Sequence, residues 1–350
     1  MVRCKRLLFM FLALMILFLA ACSSDNEEQS ETEKQSSGSI QAGETEGTKA
    51  EKVEKEVESV DNTEEVSFEV NQVKEAPEDQ GDSEVRLEGE FQIDNKLVSV
   101  KGMTNLLPES KLVLSIESEY GLLVGGIDRT EVNENGEFEL EYILPDEVEG
   151  IVHIELKFEP ANQYGEIKNH YLNQLGGSFV QNYAKSNEIY QKVSFQQSAT
   201  IDGGQHNFSI TEPSWDLPED YGNPKVWIEP VIEKQDDYVV VKINSNIIED
   251  TFILARADIP NYITSGFQGY SYTDPDGSTV LYIHDPEKDS RIKNLTEYDI
   301  VITMDPSHHN NGPHVTEVYG ENGQNLAGDF VNDEDETKVV EQTITITVEE

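Results

Sequence analysis

Apolar and polar residues alternate with a period of two over much of the chain, which is the pattern of β-strands that bury one face. Every second residue from Val152 to Phe158 is apolar, and near the C-terminus threonines alternate with Ile344, Ile346 and Val348. Such runs are short and are separated by turns rich in Gly, Pro and Asn. Strands of this length and spacing are typical of antiparallel β-sandwiches. The pattern therefore predicts an all-β fold.

The β-rich part of the chain is duplicated. Residues 97–115 align with residues 238–256 without a gap, at an offset of 238 − 97 = 141. The turn sequences Asn133–Gly136 and Asp274–Gly277 share that offset, and two later blocks align at offsets of 300 − 154 = 146 and 326 − 175 = 151. Four blocks in the same order predict two homologous antiparallel sandwiches in tandem.

The alignment sets the expected domain boundaries. Repeat 1 is placed at 86–202 and repeat 2 at 225–350, with a connector at 203–224 that is rich in Gly, Pro and acidic residues. Trp215 in this connector is expected to hold it against one sandwich and so to limit motion between the repeats.

The segment Val100–Pro108 (VKGMTNLLP) is the residue-level basis of a family resemblance. With the tandem arrangement, it resembles the Ig-like or transthyretin-like modules of exported Gram-positive proteins. Repeat 2 departs from the motif, because Ile243 and Glu249 replace its Gly and Pro. The resemblance implies a β-sandwich fold and leaves the ligand open.

The N-terminus carries an export signal. Three basic residues precede the apolar run Leu7–Phe18, and small residues follow it, as in a secretory signal peptide. The run is short for a membrane span, which needs about 20 residues, so an uncleaved anchor is the lesser alternative. The ending Leu19-Ala-Ala-Cys22 resembles the lipobox of bacterial lipoproteins. That resemblance implies removal of residues 1–21, acylation of Cys22, and a protein anchored by lipid at the extracytoplasmic face of the cell membrane.

The lipidated Cys22 is followed, through residue 85, by a segment dominated by Glu, Ser, Gln, Thr, Lys and Gly. Such a composition buries too little apolar surface to fold, so we expect a disordered acidic linker that acts as a spacer. A flexible chain of about 60 residues reaches roughly 45 Å, enough to hold the folded part away from the membrane.

Charge and cysteine content exclude several functions. The formal net charge of −44 repels nucleic acid and anionic lipid headgroups, so the expected partners are a protein or a cell-wall component. The sequence has two cysteines, Cys4 in the signal and Cys22 at the lipid. Thiol catalysis, disulfides and cysteine-ligated metals are therefore excluded for the mature chain.

A histidine-rich loop is the first candidate site. His308, His309 and His314 lie where repeat 2 is longer than repeat 1, with Asp305 nearby. Imidazoles beside a carboxylate could bind Zn²⁺ or Cu²⁺, whereas the more frequent interpretation of such a Gly-Pro loop is a solvated connection. No other cofactor is expected. Asp274-Pro-Asp-Gly277 lacks the glutamate of an EF-hand, so we interpret it as a turn.

A cluster of aromatic residues is the second candidate site. Tyr262, Phe267 and Tyr270 fall in a Gly/Ser-rich stretch, where aromatic rings could stack on sugars or anchor a partner. The favoured alternative is a pair of strands whose tyrosines flank the core.

Signatures of catalysis are missing from the sequence. It has no Gly-x-Ser-x-Gly elbow, no His-Glu-x-x-His pair, no phosphate-binding loop and no dinucleotide fingerprint. We therefore expect a non-enzymatic binding or structural module at the cell surface. A metal-binding lipoprotein using the histidine loop is one alternative. A cell-wall polymer hydrolase, which needs a cleft with two carboxylates, is the other.

Overall fold

The computed structural model describes residues 75–118, 123–262, 266–334 and 336–348. The expected signal peptide, the lipobox with Cys22 and most of the expected linker lie outside these residues. The described part is all-β, as the alternation predicts, and forms two antiparallel sandwiches that belong to one compact unit, Val70–Glu350. Within it, no helix is long and apolar enough to cross a membrane.

Repeat 1 consists of a four-stranded and a five-stranded sheet. The strand orders are β5-β2-β1-β9 and β4-β3-β6-β8-β7, and all pairings are antiparallel. A short helix, α1 (Gly165–Tyr171), precedes β7. The strands are β1 (Leu87–Asp94), β2 (Leu97–Thr104), β3 (Lys111–Ser118), β4 (Leu123–Glu131), β5 (Glu137–Ile143), β6 (Gly150–Phe158), β7 (Val180–Lys185), β8 (Glu188–Ile201) and β9 (Gln205–Ile210).

Repeat 2 has a three-stranded and a five-stranded sheet. The strand orders are β10-β11-β14 and β13-β12-β15-β17-β16, again antiparallel. The helix α2 (Pro313–Tyr319) takes the place of α1. The strands are β10 (Ile228–Gln235), β11 (Tyr238–Ser245), β12 (Phe252–Asp258), β13 (Gln268–Tyr272), β14 (Thr279–His284), β15 (Glu297–Met304), β16 (Val331–Glu334) and β17 (Thr337–Thr347).

Each sandwich buries its own core between its two sheets. Phe91, Val100, Leu114 and Phe158 are among the fully buried residues of repeat 1. In repeat 2, β15 buries Tyr298, Ile300, Ile302 and Met304, as its alternation predicts. Burial of these side chains provides most of the favourable free energy of folding, because residues 75–348 contain no cysteine and so no disulfide.

The two repeats begin with the same hydrogen-bonded loop, which extends the duplication further toward the N-terminus. Residues 77–79 and 218–220 both read Pro-Glu-Asp, and each loop packs on a buried asparagine. Asn105 accepts the Arg86 N–H and donates to the Glu84 carbonyl. Asn246 makes the same two bonds, to the Trp227 N–H and the Lys225 carbonyl. The end of the expected connector is thus hydrogen-bonded into repeat 2.

The acidic turns connect the two sheets of each sandwich. Asn133–Gly136 leads from β4 to β5, and Asp274–Gly277 leads from β13 to β14. Each is closed by a hydrogen bond from the glycine N–H to the first residue's carbonyl. Gly136 and Gly277 have φ of 78° and 82°, which a glycine adopts without strain. The interpretation of Asp274–Gly277 as a turn is therefore confirmed.

Candidate functional site

The repeats contact each other along the free edge of β7, and we call this region the junction. Glu249 and Asp250 lie in the loop between β11 and β12. Glu249 accepts the Asn182 N–H through Oε1 at 2.7 Å and the Asn182 side-chain amide through Oε2 at 2.6 Å. Asp250 accepts the Ala184 N–H at 2.8 Å. Two carboxylates of repeat 2 thus occupy backbone donors that an edge strand would otherwise leave unpaired.

A small apolar cluster forms a second contact between the repeats and belongs to the junction as well. Ile151 of repeat 1 is buried against Tyr238 and Val240 of repeat 2, and Tyr282 packs on the same group. The Tyr238 hydroxyl accepts the Ile151 N–H at 3.3 Å. Gly150 stands so close to this hydroxyl that a side chain there would collide with it. The sequence therefore needs a glycine at this point for the sandwiches to approach.

A charged network on the outer face of the five-stranded sheet of repeat 1 completes the junction. Glu155 accepts from Lys192 at 2.6 Å, from Lys157 at 2.7 Å and from the Ser194 hydroxyl at 2.8 Å. Glu155 and Lys192 are 19% and 15% exposed, so water screens the pair weakly. The opposing burial cost is exceeded by the two lysine charges, which hold the pKa of Glu155 well below its usual value.

The carboxyl groups that repeat 2 contributes to the junction have raised pKa values. Burial raises the pKa of Asp250 to about 6, against the opposing effects of the Ala184 N–H and the Lys192 charge. Burial, reinforced by the charge of Asp276, raises the pKa of Asp274 to about 7. The pKa of Glu249 is raised as well, chiefly by burial. The junction therefore holds carboxyls that change protonation near neutral pH.

The connector contacts both repeats. The Trp215 indole donates to the Ser178 carbonyl of repeat 1 at 2.7 Å. The Asp216 N–H points to the Asp276 carboxylate of repeat 2, at 3.4 Å. The consecutive residues Trp215 and Asp216 thus attach the connector to different sandwiches. A rotation of one sandwich relative to the other must therefore break one of these contacts.

The structure separates the three histidines of the candidate metal loop into two environments. The His308 ring stacks on Phe252 at 4.2 Å, and the His309 ring lies 4.4 Å from that of His308. Burial lowers the pKa of His308. His314 lies in α2 and donates through Nε2 to the Glu249 carbonyl at 3.0 Å. Among the described residues, no three His, Cys, Asp or Glu side chains form a group suited to a metal ion.

The candidate aromatic residues lie in or beside the core of repeat 2. Phe267 is 7% exposed and belongs to that core. The Tyr262 hydroxyl accepts the Lys293 N–H at 2.9 Å. Tyr270 lies in β13 with its ring 5.3 Å from Phe252, and burial raises its pKa. These positions correspond to a strand whose aromatic residues flank the core rather than to a row of exposed rings.

A cleft of about 1090 Å³ opens between the repeats, next to Tyr238. It is mainly acidic, with three cationic side chains, Lys96, Lys288 and Arg291, in its lining. Its carboxyls are Asp146, Glu149, Asp202, Asp236, Asp237, Asp285 and Asp289. The junction carboxyls with raised pKa, Asp250 and Asp274, lie outside this lining. A cell-wall hydrolase needs two carboxyl groups that face its cleft, one of them with a raised pKa. Asp250 and Asp274 do not form such a pair in this cleft.

Comparisons with known proteins give no family. No family model matches the chain, and no curated protein matches it. Dimeric latent PorU from Porphyromonas gingivalis is similar over 63% of this chain and 32% of its own, with 12% identity and a TM-score of 0.17. A 1.5-MDa bacterial ice-binding adhesin concerned with host cell surface retention is similar over 72% of this chain and 90% of the other, with 12% identity and a TM-score of 0.16. The chain spans about a third of the PorU chain, and neither likeness bears on function.

Sequence reasoning missed the residues that form the junction. Glu249 lies 67 positions from Asn182 along the chain, so no local pattern connects them. No pattern in the sequence marks Glu155 and Lys192 either. They lie on the outward side of β6 and β8, where charged residues are usually solvated, and their burial follows only from the packing of the molecule.

Proposed function

We propose that this protein is a lipid-anchored, extracytoplasmic and non-enzymatic module that binds or supports a partner at the cell surface. In this proposal Cys22 carries the lipid, and the two sandwiches are presented as one rigid arm. The basic N-terminus, the apolar run and the lipobox-like Leu19–Cys22 support the location. The partner is a protein or a cell-wall component.

The observation that carries the proposal is the junction. Separating the repeats would expose the backbone donors of β7 and the apolar Ile151–Tyr238–Val240 cluster. It would also leave the connector with one of its two attachments broken. Interfaces within a chain that combine apolar burial with satisfied hydrogen bonds restrict domain motion, whereas sparse interfaces permit it. A rigid arm suits a protein that presents a fixed surface to a partner.

The cleft is the concave surface that such an arm offers. Its two walls come from different repeats, so its shape depends on the junction. Its carboxylates favour partners that carry positive charge and oppose nucleic acid. Concave sites between domains are common places for ligand binding.

The location is tested with the full chain and its Cys22→Ala variant in membrane fractionation. We expect the unaltered chain in the membrane fraction and cleaved by protease added outside the cell, whereas Cys22→Ala leaves that fraction. Retention of Cys22→Ala in the membrane with an intact N-terminus would instead support an uncleaved anchor.

The rigid arm is tested by calorimetry of the unaltered chain and of the double variant Glu249→Ala, Asp250→Ala. We expect one unfolding transition for the first and two for the second, because the junction couples the two cores. Glu109→Ala is the matched control, since Glu109 occupies the position of Asp250 in repeat 1 (250 − 109 = 141) with a similar φ of 67° against 58°. Two transitions in the unaltered chain would contradict the proposal.

A further inference from the structure

The two repeats differ at one sheet edge. In repeat 1, β9 pairs with the outer edge of β1 over six residues and extends the sheet to four strands. In repeat 2, the corresponding strand β10 is the last of its sheet among the described residues. The equivalence is exact in register, because Phe91 faces Val100 and Ile232 faces Val241, both at an offset of 141.

The strand β9 also closes the core of repeat 1. Phe208 stacks on Phe91 with ring centres 5.1 Å apart, and Phe91 stacks on Phe195 of β8 at 5.6 Å. Ile210, two residues further along β9, is 8% exposed. The aromatic and aliphatic residues of β9 thus cover apolar side chains that would otherwise face water.

Repeat 2 has the same slot, and no strand among the described residues fills it. Ile232 stands in the place of Phe91, and the inward residues Ile344 and Ile346 of β17 are only partly buried. Gln342 takes the place of Phe195 opposite the neighbouring strand, and its buried Oε1 has no hydrogen-bond partner within the part of the chain that the structure describes. Val231, next to Ile232 in β10, is 52% exposed. The slot therefore combines an open strand edge, half-covered aliphatic side chains and an unpartnered buried acceptor.

The edge of β10 retains backbone groups for pairing. Pro230 faces Ile243 of β11 and cannot donate, so its nitrogen points away from β11. Alternate residues of an antiparallel strand turn both N–H and C=O to the same side, so Ile232 and Lys234 present theirs at the open edge. The open edge of β10 offers one backbone N–H fewer than the corresponding edge of β1, because β1 has Gly89 at the position of Pro230.

A segment that precedes repeat 1 has the sequence pattern of β9. Val66-Ser-Phe68-Glu-Val70 repeats the Phe-x-aliphatic pattern of Phe208-Ser-Ile210. The two segments also stand in the same place relative to the repeat that follows. Phe68 precedes Pro77 by nine residues, and Phe208 precedes Pro218 by ten. Each repeat is thus preceded by a segment of this pattern. The segment that precedes repeat 2 is β9, and β9 pairs with β1 of repeat 1.

We propose that Val66–Val70 of one copy of this chain adds as a strand to the β10 edge of a second copy. The register of β9 on β1 places Phe68 opposite Ile232 and Val70 opposite Pro230. Such a contact joins different surfaces of the two copies, so it leads head to tail from one molecule to the next. The main-chain bonds give affinity, and the slot for Phe68 gives specificity.

Charge modulates this contact. Glu69 would lie opposite Val231, on the same face of the strand pair as Glu229 and Glu233. Like charges on neighbouring strands repel, and salt screens this repulsion. The association is therefore expected to strengthen as the salt concentration rises.

The test is disulfide formation between copies of the full chain in which Cys4 and Cys22 are replaced by Ala. One sample carries Phe68→Cys and the other carries Ile232→Cys, and the two are mixed and mildly oxidised. We expect a crosslinked dimer, at least tenfold more abundant than with Val231→Cys, whose side chain points to the other face of the sheet. The yield should rise with salt.

Three results would overturn the proposal. Equal yields with Ile232→Cys and Val231→Cys would show collision rather than strand pairing. A chain carrying both Phe68→Cys and Ile232→Cys that crosslinks within itself, while the mixed single variants do not, would place the segment on its own repeat 2. Sedimentation of Phe68→Ala supplies an independent measurement, because residue 68 precedes the expected bounds of both repeats. We expect Phe68→Ala to lose the salt-dependent association, and unchanged association would contradict the proposal.

Discussion

Single residues explain where the two copies diverge. Gly89 and Gly102 face each other across β1 and β2, and the Phe138 ring covers Gly102 from the neighbouring strand. In repeat 2 the same three positions hold Pro230, Ile243 and Thr279. In repeat 1 the large side chain of this layer is Phe138, beside Gly102, whereas in repeat 2 it is Ile243, beside the smaller Thr279. The loss of the glycine in repeat 2 is therefore a compensated exchange within one packed layer.

We expect Gly102→Ala to destabilise repeat 1. A Cβ at this position would collide with the Glu88 carbonyl oxygen and with the Phe138 ring, and the backbone atom cannot move aside. Overpacking of this kind costs about 1–3 kcal/mol. The measurement is the free energy of unfolding in urea, with Gly176→Ala as the reference, because a Cβ there would make only ordinary van der Waals contacts. An unchanged value for Gly102→Ala would contradict the packing described.

The junction carboxyls predict a pH dependence of stability. Burial raises the pKa of Asp274 to about 7, whereas an aspartate in the unfolded chain titrates near pH 4. Between these values the folded protein binds a proton that the unfolded chain does not, so stability increases as the pH falls from 8 to 5. Asp250, with a pKa raised to about 6, acts in the same direction over a narrower range. The lowered pKa of Glu155 acts oppositely, but only below about pH 4.5, where its stabilisation is lost.

The measurement is the melting temperature of the unaltered chain and of Asp274→Asn at pH 8 and pH 5.5. We expect the unaltered chain to melt higher at pH 5.5, and Asp274→Asn to reduce that difference. A larger pH effect in the variant would show that Asp274 is not the group responsible.

At the scale of elements, the last residue of each short helix holds a loop that connects the two sheets of its sandwich. Tyr171 at the end of α1 is buried, and its hydroxyl accepts the Leu107 N–H at 2.9 Å. Tyr319 at the end of α2 does the same for the Ile248 N–H at 3.1 Å. Glu249, which follows Ile248 directly, then reaches β7. The tyrosine of α2 thus holds the loop that carries the junction.

We expect Tyr319→Phe to cost about 1–3 kcal/mol, because it leaves the Ile248 N–H without its partner in a part-buried site. The loss should also weaken the junction, whereas Tyr171→Phe should destabilise repeat 1 alone. Calorimetry distinguishes the two, since only Tyr319→Phe is expected to separate the unfolding of the repeats. Identical profiles for both variants would contradict this role.

The fold class could be predicted from the sequence, because period-two burial is a local property of each strand. The alternation in β6 and β15 places the same side chains in the core that the structure buries. Contacts between distant strands are different. The hydrogen bonds from β7 to Glu249 and Asp250 depend on how the two folded sandwiches pack against each other. The pairing of β9 with β1, which has no counterpart at β10 among the described residues, depends on the strand order of the sheets. The helix α2 was also not predicted, because its seven residues begin at the proline of a Gly-Pro sequence that we interpreted as a loop.

At the scale of the whole molecule, net charge and the junction act in opposite directions. A formal charge of −44 pushes the parts of the chain away from one another. The junction resists this by giving the carboxylates of Glu249 and Asp250 backbone donors of repeat 1 and by placing the Lys192 charge of repeat 1 near Asp250. Two linked sandwiches with few such contacts would move independently. The account therefore depends on the junction holding the two repeats in one arrangement in solution.

The most direct test is the distance between spin labels on the two repeats, measured by pulsed electron resonance. The labels go on Glu139→Cys and Arg256→Cys, two exposed positions on outer sheet faces, in a chain whose own cysteines are Ala. We predict a single narrow distance distribution, which Glu249→Ala with Asp250→Ala broadens and the control Glu109→Ala does not. A broad distribution in the chain with an intact junction would contradict the rigid arm.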